Sequence, residues 1–184
     1  MKIWNFFRKR PWTRPAARDE YGTVSGIVYG ALGIDPGRTT QMDRACLQDG
    51  TLYSWRNAVL LCLGGEVIGG MVAYAGEGYP EMKARTWDCC WDFEAGSQED
   101  ECGPDEYYID SLMLFPEHRG HGYGRILLEE AERAAAEAGI RRVSLLVDRG
   151  KEGLVRYYLA AGYAVAGERT FLGRPDYLKM TKII

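Results

Sequence analysis

The chain has 184 residues, 46% of them hydrophobic and 27% charged, with a formal net charge of −3. That length suits one domain and that composition supports a packed core, which excludes a disordered chain and argues against two independent domains. The slightly acidic balance argues against general nucleic-acid binding, and the longest apolar run, residues 58–63, is strand-sized, far short of the roughly 20 residues that span a bilayer.

The first ten residues place their charge (Arg8, Lys9, Arg10) after a short apolar stretch and show no cleavage site of a secretory leader, so a cytoplasmic protein is expected. Val24, Ile27, Val28 and Leu32 recur at helical spacing over residues 21–32, and Gly33 stops that helix. Thr39 or Thr40 can cap a short second helix through Cys46 and Leu47, ending near Gly50. Residues 58–63 and 66–74 read as two strands joined by Gly64-Gly65. Residues 75–106 show no regular pattern and are read as an acidic insertion. They hold ten acids against two bases, a balance of −8 that leaves +5 for the rest of the chain. Beyond it come a strand over 107–115, a helix over 125–138 closed by Gly139, a strand over 142–147 and a helix over 154–161. Strands over 163–171 and 177–183 close the chain, and the tally is mixed α/β with a parallel crossover.

Cys46, Cys62, Cys89, Cys90 and Cys102 form no even disulfide framework and are read as reduced. They lack C-x-x-C spacing, and His118 and His121 lie elsewhere, so no metal site is expected.

Residues 112–125 carry the chemistry. The strand runs through Leu112, Met113 and Leu114 into Arg119-Gly120-His121-Gly122-Tyr123-Gly124-Arg125 and then directly into a helix. Three glycines in five residues let backbone approach a ligand closely, and the free amides of a helix start favour phosphate, so an anion site is expected. The dinucleotide fingerprint fails because Arg125 stands where a third glycine is required, and a P-loop fails at Leu145 and Glu152.

Arg119-x-x-Gly122-x-Gly124 matches the R/Q-x-x-G-x-G/A signature, and the chain resembles the GNAT family of N-acetyltransferases. Tyr157-Tyr158-Leu159-Ala160-Ala161-Gly162-Tyr163 is similar to a second element of that family, and residues 12–16 look like its first strand. The asparagine often found seven residues before the tyrosine is Lys151 here, so that cofactor contact is not carried over. The resemblance implies an α/β (α+β) fold: a GNAT-like mixed central sheet of six to seven strands flanked by about four helices, in one domain over 1–184. It implies an acetyl-CoA-dependent N-acetyltransferase acting on a primary amine, as a monomer or homodimer. The alternative is a non-catalytic CoA-binding or regulatory module.

By the same resemblance Arg119, Gly120, His121, Gly122, Tyr123, Gly124 and Arg125 would hold pyrophosphate, and Leu112, Met113 and Leu114 would pair with pantetheine. Leu112 and Leu114 are expected on one strand face with Tyr108 and Asp110. Tyr158 takes the place of the family's thiolate-protonating tyrosine, with Tyr157 as the alternative one residue away. An ammonium acceptor must lose a proton before attack, so a base is needed, and Asp110, Glu106 and Tyr108 are the candidates. Asp110 is a charge in an apolar strand, either functional or a buried structural carboxylate. The acidic segment, with Tyr79, Trp87, Trp91 and Phe93 among its carboxylates, either shapes a pocket for a cationic amine or is a solvated loop.

Overall fold

The computed structural model describes residues 10–35, 41–90, 99–171 and 174–184. Thr39, Thr40, Trp91, Asp92, Phe93 and Glu94 lie outside them. Seven strands form one sheet in the order β1-β2-β3-β4-β5-β7-β6. They are β1 (Trp12–Pro15), β2 (Ala58–Leu63), β3 (Glu66–Ala75), β4 (Glu106–Leu114), β5 (Arg142–Asp148), β6 (Ala164–Phe171) and β7 (Arg174–Ile183). Helices α1 (Tyr21–Leu32), α2 (Gln41–Leu47), α3 (Tyr79–Cys90), α4 (Gly124–Glu137) and α5 (Glu152–Ala160) complete the mixed α/β architecture. Among the described residues no helix is long and apolar enough to cross a membrane.

Gly64 and Gly65 both take positive φ, 64° and 95°, which sets the tight turn of the β2–β3 hairpin. Neighbouring residues of β2 enter opposite cores. Leu60 packs with α1 and α2, Leu61 packs with α4 and α5, and both are fully buried, as expected of a sheet covered on two faces.

The acidic segment corrects the expectation of an irregular insertion. Its residues 79–90 form α3, which buries Tyr79, Lys83, Thr86, Trp87 and Cys90. Thr86 supplies the anchor: its hydroxyl donates to the Met82 carbonyl at 2.7 Å and accepts the Leu52 amide at 2.8 Å. Aromatic and β-branched positions scattered among charges hide the period, and the buried face becomes visible only once α2 and residues 51–53 are packed against it.

Glu106, a candidate base, has a structural environment. Its Oε2 accepts the Lys179 ammonium at 2.5 Å, the Ser144 hydroxyl at 2.8 Å and the Gly103 amide at 3.1 Å, and it does not line the cavities described below. Lys179 also donates to the Glu101 carbonyl at 2.7 Å, so this knot ties β7, β5 and the entry to β4 together. Both side chains are nearly excluded from water. Lys179→Met leaves Glu106 buried without its cation, and a loss of about 3–5 kcal/mol in unfolding free energy is expected from denaturant titration. A change below about 0.5 kcal/mol, the size of an ordinary surface substitution, would contradict the assignment.

Candidate active site

Strands β4 and β5 pair in parallel only over residues 106–109 and 142–145. Beyond that point β4 stays with β3 as far as Leu114, and β5 stays with β7 as far as Asp148, so the two diverge. Two cavities open in the wedge, one of about 650 Å³ beside the glycine loop and one of about 210 Å³ deeper in. Both are lined by Ala31, Leu112, Lys151, Leu154 and Tyr158, so they share a wall.

Leu112, Met113, Leu114, Arg119, Gly120, Gly122, Tyr123 and Gly124 all line the larger cavity. Gly120 and Gly122 have φ of 77° and 79°, and a Cβ at either would meet open space. The loop therefore presents bare backbone to the cavity. The amides of residues 120–123 find no acceptor among the described residues, and they precede the 14-residue α4. Arg119 Nε donates to the Leu114 carbonyl at 3.0 Å, holding the loop against the strand end. His121 and Arg125 do not line this cavity: the His121 ring stacks on Tyr123, while Arg125 pairs with Glu129 at 3.1 Å and gives its amide to the Gly122 carbonyl. Helix geometry turns the Arg125 side chain along its own helix. The Tyr157 hydroxyl also faces this region, buried and without a partner, where a Cβ on Gly124 would lie 2.9 Å from it. Open amides, an unpaired strand edge and an orphaned hydroxyl together fit a pyrophosphate with an extended amide-bearing arm.

Register decides the inner cavity. Val72 pairs with Ser111 and Ala73 with Ile109, so Asp110 is the extra residue of a β-bulge. The bulge overturns the expected single face of β4: Tyr108 and Met113 pack into the α1 core, whereas Leu112 and Leu114 pack into the α4 core. Strict alternation fails because one inserted residue reverses every later side chain. Asp110 lines the smaller cavity, accepting the Tyr74 hydroxyl at 2.7 Å and the Ser111 hydroxyl at 3.0 Å. Burial pushes its carboxyl up to about 6 despite those hydrogen bonds.

Tyr158 is nearly buried, with its ring edge-on to Tyr157 at 5.4 Å and to Tyr163 at 6.0 Å between centroids. Burial pushes its phenol up to about 12, so it carries its proton at neutral pH. Tyr157 lines only the larger cavity, whereas Tyr158 lines both.

Glu101 is the residue that sequence reasoning missed. It lines the smaller cavity and accepts the Tyr108 hydroxyl at 2.5 Å. In sequence it is one acid among ten, and only its position just before β4 hinted at the pocket. Burial, reinforced by the charge of Asp110, pushes it up to about 8. A carboxyl raised on folding from 4.5 to about 8 binds more protons in the folded state, so its contribution to stability is fully present below 4.5 and is lost as pH rises through that interval. The thermal midpoint is expected to fall over this range, and Glu101→Gln to flatten the slope. Identical slopes in calorimetry would contradict the shift.

The model of the Acetyltransferase (GNAT) family matches residues 34–163, well over half of the chain. The chain belongs to this family. Solved GNAT-like structures share its fold at low identity. An acetyltransferase crystal structure is 21% identical, with a TM-score of 0.75, over 94% of this chain and 99% of its own. An N-acetyltransferase from Staphylococcus aureus Mu50 is 18% identical, with a TM-score of 0.77, over 92% and 99%. The PaiA N-acetyltransferase of Thermoplasma acidophilum, solved in complex with coenzyme A, is 15% identical, with a TM-score of 0.56, over 95% and 99%. A search of curated proteins found no match.

Proposed function

We propose that this GNAT protein is an acetyl-CoA-dependent N-acetyltransferase that acts on a primary amine of a small molecule or peptide. The observation that carries the reading is Tyr158, a protonated phenol in the wall between a cavity with phosphate-binding features and a cavity holding the carboxyl of Asp110. Acetyl-CoA, when bound, supplies the acetyl thioester. The amides of residues 120–123 with Arg119 hold the pyrophosphate, and the unpaired edge at Leu112, Met113 and Leu114 aligns the pantetheine arm. Asp110 accepts the proton that an ammonium acceptor must lose, and Tyr158 keeps a proton at its hydroxyl for the departing sulfur. Of the candidate bases, Asp110 is favoured over Glu106, which is neutralised by Lys179.

The test is to incubate the purified protein with acetyl-CoA and a broad panel of amines and to follow free thiol. Acceptor-dependent release supports the reading. Acetyl-CoA binding without release for any amine points instead to a non-catalytic CoA-binding module.

A further inference from the structure

Glu101 and Asp110 both line the smaller cavity, and Lys151 is the cation in its lining. Among the described residues neither Glu101 nor Asp110 forms an ion pair: Lys83 pairs with Asp100 at 2.8 Å and reaches Glu101 only through its charge, Lys179 pairs with Glu106 at 2.5 Å, and Lys151 stands in the wall shared with the larger cavity. A separate observation points to a ligand. Tyr53 lines the same cavity, is 2% exposed, and its hydroxyl has no hydrogen-bond partner among the described residues. Burial, and then the charges of Asp110 and Glu101, raise its phenol well above the ordinary value. With no partner in the described residues, that hydroxyl opens to the cavity and is free to bond a ligand there. Behind these groups the Tyr74 ring packs on Tyr79 at 6.4 Å and on Tyr108 at 5.9 Å between centroids.

An ammonium offers three donors and no acceptor, and it is favoured beside aromatic faces. Carboxyl groups and a free phenol in one apolar-walled chamber complement that pattern. The groups are also spread out. Asp110 accepts the Tyr74 hydroxyl and Glu101 accepts the Tyr108 hydroxyl, on two rings whose centroids lie 5.9 Å apart. That spacing suits two cationic centres on one short chain.

We propose that Glu101 and the Tyr53 hydroxyl hold a second ammonium group, so that the acceptor is a short α,ω-diamine whose other amine faces Asp110 and Tyr158. This rests on the N-acetyltransferase reading and adds its substrate class. Glu101 gives up its proton as the cation enters, so binding releases a proton to solvent.

The experiment is calorimetric titration of the full chain with α,ω-diamines of roughly three to six carbons, lengths that bracket the separation of the two rings, and with the matching n-alkylamines. In the wild type at least one diamine binds about tenfold or more tighter than its monoamine, and heats in buffers of different ionisation enthalpy report proton release for the diamine alone. In Glu101→Gln and in Tyr53→Phe the gap shrinks to about threefold or less, with folding checked by circular dichroism and the thermal midpoint. Should the glutamine variant fail to fold, Tyr53→Phe decides, since it keeps the buried ring. Diamines that bind no better than monoamines, or a gap that persists in the folded variants, overturn the proposal, as does the absence of any diamine binding. Because the titration needs no turnover, a protein that binds diamines as described but acetylates no amine would sink the enzymatic reading alone. One that acetylates monoamines and diamines equally well would sink this inference alone.

Discussion

Tyr158→Phe is expected to lower kcat by about 10² to 10⁴-fold while acetyl-CoA affinity stays nearly unchanged. The substitution keeps the ring that packs against Tyr157 and Tyr163, so the fold loses no contact beyond one hydroxyl. In the proposed mechanism what disappears is a proton donor whose main interaction is with charge that develops on sulfur in the transition state. An interaction confined to the transition state lowers kcat and kcat/KM together and spares ground-state binding. Steady-state kinetics with a direct affinity measurement separates the two. Wild-type turnover in this variant would return Tyr158 to a packing role and move the proton donor to Tyr157, whose hydroxyl is buried and unpartnered on the cofactor side.

Gly122→Asp is expected to weaken acetyl-CoA binding by about 10²-fold or more. A Cβ at residue 122 would project into open space, so the side chain enters the cavity without disturbing packing. Its carboxylate then faces a phosphate, and two like charges about 4 Å apart repel by several kcal/mol at an effective dielectric near 20. The positive φ of 79° carries its own backbone cost, and Gly122→Asn controls for it because asparagine tolerates this region similarly without charge. Titration of both variants with acetyl-CoA should give aspartate far weaker than asparagine. Equal affinities for wild type and Gly122→Asp would remove the glycine loop from the cofactor site. Gly124→Asp is a poorer probe, since its Cβ would press on the Tyr157 hydroxyl at 2.9 Å and mix packing with charge.

Local patterns made most of the fold and the backbone of the glycine loop legible in the sequence, though not that His121 and Arg125 would turn away from the cavity. Helical spacing over residues 21–32, the Gly64-Gly65 turn and the strand-to-helix run with Arg119, Gly122 and Gly124 each depend on near neighbours in the chain. Their conformations follow from backbone freedom and periodicity alone. Tertiary structure decided what depends on distant partners. Lys179 claims Glu106 from 73 residues away and leaves it outside the smaller cavity, a choice no local pattern records. The bulge at Asp110 is a matter of register against β3, and it alone separates the face of Tyr108 from that of Leu112. Helix α3 emerged from a stretch whose buried face is defined only by the elements packed on it, such as the Leu52 amide that Thr86 receives across 34 residues. The same long-range packing lifted Glu101 out of an acidic run and set it, half-buried, in the cavity that Asp110 also lines. The run's composition shows only charge, whereas a carboxyl group's chemistry is set by the water it loses and the groups it meets.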